Sequence, residues 1–276
     1  MTSSNINDQA IVIGGSIAGL LSARVLADRF ASVTIIETDK LPDLPKARIG
    51  VPQSVQPHIL FTKGYRILGE LFPNIEEQLR AGGAIAIDWT REFNYFSRRG
   101  WNATSSSPSD LNSVSCSRPL LEWSIRQQLA NYANIHFVDE HRVIALLSHS
   151  KTRITKVALR SATGDRQELP ASLVVDASGR RSAAPSWLQK LGFTPPPETM
   201  SWMLATGSDL RFATTQGGSR PVKSGGFFTS YTERLLNLTT SDPKMNALWM
   251  EVAHLLKSPL AFYHPQIAFK VLTKKD

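Results

Sequence analysis

The chain has 276 residues, 42% hydrophobic and 20% charged, which is enough for one large domain or two modest ones with a sizeable core. Its formal charge of +8 favours anionic ligands, but the basic residues are scattered in pairs such as Arg98-Arg99, Arg180-Arg181 and Lys274-Lys275. Without a basic helix or an aromatic-basic platform, nucleic acid is not an expected partner.

A single cysteine, Cys116, excludes an internal disulfide framework and fits a reducing compartment. The start, Met1-TSSNINDQ, lacks a positive n-region and carries Asp8, so it makes a poor signal peptide. The apolar stretch after it contains a glycine pair and Arg24, which suits no transmembrane segment. A cytoplasmic location is the expectation.

Ala10 to Ile13 is a short β-branched run suited to a strand buried on both faces. Gly14-Gly15-Ser16-Ile17-Ala18-Gly19 follows, where a dinucleotide-binding loop reads G-x-G-x-x-G, with serine in place of the middle glycine. Ile17, Leu20, Leu21, Val25 and Leu26 then recur at helical spacing, and Ser32 to Glu37 is a second buried strand, completing a βαβ unit.

Each position of such a loop has a task. Gly14 supplies the tight turn and Gly19 the close packing of helix on strand. Ser16 keeps the middle position small, and its hydroxyl is able to donate to a phosphate oxygen. The helix N-terminal amides add partial positive charge, and Gly15 and Ala18 complete the candidate cofactor contacts. Glu37 ends the second strand eighteen residues after Gly19, where an acidic side chain takes ribose hydroxyls and repels the 2′-phosphate of NADP. The competing reading is a glycine turn that only packs helix on strand.

Beyond this unit a proline-punctuated loop, Leu41 to His58, is too long to be a plain connection. A helix is expected from about His58 to Leu71, strands over 84–89 and 92–97, and a loop over 102–113. Ser117-Arg118-Pro119 has helix-start chemistry, a serine cap with proline inside the first turn. Strands follow at 134–138, 142–149 and 152–160, then a turn at Thr163-Gly164-Asp165 and a buried strand ending at Asp176. A helix with Trp187, Leu188 and Leu191 stops at Gly192. Residues 201–241 show few periodic apolar positions and read as poorly organised, whereas Met245, Leu248, Trp249, Val252, Leu255 and Leu256 mark an amphipathic helix.

The expected fold class is α/β: a Rossmann-like domain with an inserted β-meander, an incomplete substrate domain and a C-terminal helix. An NAD dehydrogenase would continue with further βα units. An interruption by a long loop and a meander is how FAD-binding domains of the two-dinucleotide-fold type are built. The expected division is 1–200 as an FAD-binding domain with 83–115 inserted on the substrate side, 201–241 as a remnant, and 242–276 as a helical segment.

Four segments, Ile13-GGSIAGLLSARVLAD, Arg48-IGVPQSVQPHIL, Ser117-RPLLEW and Leu173-VVDASGRRSAAPSWLQKLG, occur in the order found in a known family. The chain resembles the class A flavoprotein monooxygenases and their para-hydroxybenzoate hydroxylase-like and geranylgeranyl reductase-like relatives, above all a bacterial branch whose first loop carries serine. The resemblance implies FAD as cofactor. It implies that Arg48 contacts it, that Arg118 reaches its pyrophosphate or ribityl chain, and that Asp176 sits near the ribitol and pyrophosphate. The plainer alternatives are a solvated charge for Arg48, a surface salt bridge for Arg118 and a helix cap for Asp176.

In that family a second loop, Gly-Asp followed by proline and glycines, closes over the flavin. Between 180 and 276 this chain has no Gly-Asp pair, and Gly207-Ser208-Asp209 comes nearest. Its last stretch, Trp249-MEVAHLLKSPLAFYHPQIAFKVL, resembles the extreme C-terminus of the same branch. The expectation is therefore a shortened family member with part of its middle, between about 201 and 235, removed. Three functions follow. The first is an FAD-dependent oxidoreductase, by resemblance an NAD(P)H-dependent monooxygenase or reductase of a hydrophobic or aromatic small molecule. The others are an inactive nucleotide-binding remnant and an NAD-binding regulatory domain. No catalytic residue and no metal ligand is nominated.

Overall fold

The structure is a computed structural model, which describes residues 8–55, 60–97, 100–150, 153–179, 182–194, 201–206, 209–214, 218–221, 235, 238–253 and 256–257. In chain order the first elements are β1 (Gln9–Ile13), α1 (Ile17–Ala27), β2 (Ser32–Ile36), α2 (Thr62–Leu71), α3 (Ile75–Ala81) and β3 (Ile85–Asp88). Next come β4 (Phe96–Ser97), β5 (Gly100–Trp101), β6 (Asn112–Ser115), α4 (Arg118–Leu129) and β7 (Ile135–Val138). A meander, β8 (His141–Ser150), β9 (Arg153–Ser161) and β10 (Arg166–Pro170), leads to β11 (Leu173–Asp176) and α5 (Ala184–Lys190). The chain continues as β12 (Ser201–Thr206), β13 (Asp209–Thr214), β14 (Gly218–Pro221) and α6 (Pro243–Ala253).

The chain forms two compact units. The first comprises 1–60, 64–86 and 114–195 and is built on a parallel sheet in the order β11-β1-β2-β7. The strand order runs outward in both directions from β1 and β2, as a doubly wound sheet requires. Ala10, Ile11, Val12, Val33 and Ile35 are fully buried because both faces of the sheet are covered, which explains their unbroken apolar runs. One face packs Leu20 and Ala23 of α1, Ile125 and Leu129 of α4, and Ile75 and Leu79 of α3. On the other, Ile11, Ile13 and Ile36 meet Val143, Val157 and Leu159 of the antiparallel meander β10-β9-β8. The inserted meander is thus a cover for the sheet.

The second unit comprises 61–63, 87–113 and 196–276. Its described core gathers Trp89, Leu111 and Met250, with Phe93 and Tyr95 packed against them, and a second cluster holds Leu235, Leu238 and Met245. Asp88 is buried and accepts four hydrogen bonds, from Thr90 N and Oγ1 and from Ser109 N and Oγ, at 2.8–3.0 Å. These bonds outweigh the upward push of burial and hold its carboxyl below the usual carboxylate range.

Several elements differ from expectation. The helix expected from His58 is described from Thr62 onward, His58 itself lying outside the described residues. Residues 75–81 add a helix, α3, that was not expected, and β6 occupies the end of the presumed 102–113 loop. Val25, placed on the apolar stripe of α1, is 54% exposed. Part of the stretch expected to be poorly organised is a regular antiparallel meander: Ser201 to Thr206 pair with Thr214 to Asp209, and β14 pairs with β13. The physical reason is visible afterwards in Asp209-Leu-Arg-Phe-Ala-Thr, a polar/apolar alternation of strand period that glycine and serine neighbours hide in a wider window. Residues 222–234 and 258–276 lie outside the described set.

Candidate functional site

The site forms where β1 runs into α1. Gly14 has φ of +104°, and a Cβ there would lie 2.6 Å from the Ala177 carbonyl oxygen, so only glycine lets the turn pass β11. Its N–H donates to Ile36 O at 2.8 Å, tying the loop to β2. A Cβ on Gly19 would sit 1.8 Å from Gly14 O, which makes glycine obligatory for helix-strand contact. The loop thus assigns Gly14 and Gly19 the turn and packing tasks expected of them.

The seven other nominated residues lie here or next to it. Gly15 N–H donates to Glu37 Oε2 at 2.7 Å. Ser16 is the N-cap residue of α1, and its hydroxyl donates to Glu122 Oε2 at 2.8 Å while accepting from Arg118 Nη2 at 2.9 Å. Arg118 starts α4 directly after Ser117, whose hydroxyl caps Leu120 N at 3.3 Å with Pro119 in the first turn, as the sequence predicted. Ala18 is exposed at the second position of α1. Asp176 pairs with Ile13 in the parallel register and so stands beside the loop, but its oxygens bond Ser178 N, Ser178 Oγ and Ser182 Oγ. It closes the turn after β11; the N-cap of α5 is Ala183.

Arg48 lies at the centre. Its side chain is only 6% exposed, and it donates to Glu122 Oε1 at 2.8 Å, Asp39 Oδ2 at 3.1 Å and Gly15 O at 3.0 Å, with Glu37 Oε2 also at 3.1 Å. Burial would lower its pKa, but the charges of Glu37 and Glu122 and the bonds to Glu122 and Asp39 outweigh this and raise it. Arg48 therefore braces the loop, with four of its five N–H donors directed at protein acceptors. The plain alternative of a solvated charge does not hold.

Arg118 and Arg126 flank Glu122 one turn away on either side, at 3.8 and 3.7 Å. Burial lowers the pKa of both, and Glu122 only partly compensates. Three guanidiniums (48, 118 and 126) thus meet three carboxylates (37, 39 and 122) behind the loop. Sequence reasoning missed Asp39, Glu122 and Arg126. The signal for the last two was the i, i+4 ladder Arg118, Glu122, Arg126 on one helix face.

The residues fit a dinucleotide's ADP half. The amides of Ile17, Ala18 and Gly19 make no hydrogen bond among the described residues, the first helical bond of α1 being Leu20 N to Ser16 O. Arg118 reaches the loop through Nη2, which donates to Ser16 Oγ at 2.9 Å, while its Nε is buried without a hydrogen-bond partner, 3.8 Å from Glu122 Oε2. Glu37 accepts from Gly15 N and Arg48 on Oε2 and from Asp39 N on Oε1, which leaves acceptor capacity on Oε1.

No family model matches the chain. Protein Rv3254 of Mycobacterium tuberculosis (strain ATCC 25618 / H37Rv) is 33% identical over 201 residues, covering 70% of this chain and 42% of that protein. The chain thus spans less than half the length of this curated relative. PqsL of P. aeruginosa, in complex with 2-aminobenzoylacetate, superposes with a TM-score of 0.51 at 16% identity, over 78% of this chain and 59% of PqsL. A quadruple mutant of PqsL gives the same TM-score and identity over 89% and 71%. The fold, shared with PqsL, is a Rossmann-like α/β fold of the FAD-binding type. The myxobacterial chondrochloren halogenase CndH, a variant of the FAD-dependent halogenases, is also similar, with a TM-score of 0.46 at 21% identity over 63% of this chain and 38% of CndH. Among the described residues no group of His, Cys, Asp and Glu is arranged to hold a metal ion, and no helix is long and apolar enough to cross a membrane.

Proposed function

We propose that this chain binds FAD through its ADP half and works as an NAD(P)H-dependent oxidoreductase on a hydrophobic or aromatic small molecule. The observation that carries the reading is the open first turn of α1, flanked by Arg118 and by the Glu37 carboxylate at the end of β2. In this reading the amides of Ile17, Ala18 and Gly19 and the Arg118 guanidinium hold the pyrophosphate, as fixed positive partial charges at a helix N-terminus favour. Glu37 takes a ribose hydroxyl on Oε1 and disfavours a 2′-phosphate. Gly14, Gly15 and Gly19 let the backbone come close, and Ser16 keeps the middle of the loop small. Arg48 and Asp176 serve at one remove, Arg48 by holding Gly15 O and Asp176 by fixing the turn that Gly14 passes.

When bound, FAD supplies the redox chemistry, and the residues of this chain bind and orient it. The family resemblance in the sequence and the fold shared with PqsL support the oxidoreductase class; the hydride donor and the substrate type rest on the resemblance alone. A second reading, a nucleotide-holding chain without turnover, is favoured by one observation: the absence of a Gly-Asp pair from 180 to 276. Reverse-phase identification of the nucleotide released from purified protein, followed by NADH and NADPH oxidation with excess FAD, tests both. FAD release with nicotinamide oxidation supports the first reading, FAD release without it the second, and NAD release points instead to an NAD-binding regulatory domain.

A further inference from the structure

A serine at a helix N-cap ordinarily turns its hydroxyl onto the amide two or three residues on. Ser117 does this at the start of α4, bonding Leu120 N at 3.3 Å from an extended backbone (φ −71°, ψ 150°). Ser16 has the same residue type, the same N-cap position and an extended backbone (φ −98°, ψ −176°), yet makes no cap bond. The difference is Glu122. Its Oε2 takes the Ser16 hydroxyl proton at 2.8 Å, which turns the oxygen toward Arg118 Nη2 at 2.9 Å and away from the helix. Its Oε1 holds Arg48 Nε at 2.8 Å, and Arg48 Nη2 in turn holds Gly15 O at 3.0 Å. Both arms of one carboxylate, 4% exposed and fixed in the second turn of α4, therefore end on the glycine loop.

We infer that Glu122 is a positioning residue: by holding the Ser16 hydroxyl away from the cap, it keeps the Ala18 and Gly19 amides open for the cofactor's phosphates. This deepens the FAD-binding reading and rests on it for the identity of the ligand. With serine in the middle of the loop, a hydroxyl able to occupy the phosphate's own donors is always present. A carboxylate at 122 removes that competition without touching the cofactor.

The test uses Glu122→Asp, which keeps the charge among the three arginines and draws the carboxylate back from Ser16. In ligand-free protein the exchange of the Ala18 or Gly19 amide should slow by about fivefold, the factor a typical N-cap bond sets. FAD should bind about fivefold more weakly for the same reason. Both effects should vanish when Glu122→Asp is made together with Ser16→Gly, since a merely structural loss would persist without the hydroxyl. Ser16→Gly alone, in the otherwise native chain, should leave the exchange of both amides unchanged. Faster exchange in Ser16→Gly would show that the hydroxyl already caps the helix, and unchanged exchange in Glu122→Asp would show that the carboxylate does not restrain it; either overturns the inference. The exchange pattern without FAD uptake by the native protein would uphold the role of Glu122 and refute FAD as the ligand.

Discussion

Adding one methyl group at either of two glycines should move stability in opposite directions. At Gly19 a Cβ would lie 1.8 Å from Gly14 O, 2.9 Å from Gly14 C and 3.3 Å from Val12 Cγ1. The first two atoms are backbone, fixed by the bond from Gly14 N to Ile36 O and by the parallel pairing of β1. The carbonyl cannot rotate aside, so α1 must lift from β1 by more than about 1 Å to reach ordinary contact distance. Forced repacking on this scale costs about 3 kcal/mol, the upper part of the overpacking range, because the contact is with backbone. At Gly69, inside α2, a Cβ meets nothing within 4 Å and no positive φ stands against it, so Gly69→Ala should gain about 0.5–1 kcal/mol from helix propensity. Urea unfolding followed by far-ultraviolet circular dichroism measures both. A Gly19→Ala protein within about 0.5 kcal/mol of the native chain would refute the closeness of the α1–β1 packing.

Three further substitutions test the charges. Arg48→Met leaves Glu37, Asp39 and Glu122 without their shared cation and should destabilise by about 3–5 kcal/mol in urea unfolding, a loss under about 1 kcal/mol contradicting its role as brace. Arg118→Ala should weaken FAD binding by about 1.5–3 kcal/mol in equilibrium titration if a charge-assisted bond to phosphate is lost, and a change of a few tenths would return Arg118 to a purely structural part. Asp88 has a carboxyl pKa lowered from 3.8 in the folded state, so its contribution is present above that value and is lost as pH falls through the folded one. Asp88→Asn should therefore cost about 2 kcal/mol at pH 7. The gap from the native chain should close on acidification below 3.8, and stability curves that stay parallel down to about pH 2 would contradict it.

The βαβ unit was readable because its signals are local: a β-branched run, a glycine turn, a helical stripe and a terminal acid lie within Ala10 to Glu37. Gly14, Gly19 and Ser117 do what their positions in the chain suggest, since a positive φ, a close approach and a helix cap are properties of adjacent residues. Roles set across the fold were harder. For Arg48 the resemblance implies a cofactor contact, and no local pattern tells that Glu37, Asp39 and Glu122 gather around its guanidinium and tie it to the glycine loop. Glu122 is joined to Ser16 across 106 residues, and no periodicity within α4 tells which way its carboxylate points. The meander β12–β14 is harder to read because the alternation in Asp209 to Thr214 is diluted by the glycine and serine residues beside it, and strand pairing across the meander is not a local signal.

The glycine loop, Glu37 and Arg118 are proposed to form a site for the ADP half of FAD. Competition binding tests this, with FAD fluorescence followed during titration with ADP or with FMN, two fragments of the cofactor that overlap in one phosphate. ADP should displace FAD, and FMN, which lacks the adenosine and one phosphate, should neither displace it nor bind on its own. Displacement by FMN with none by ADP would place the nucleotide elsewhere on the chain and contradict the account.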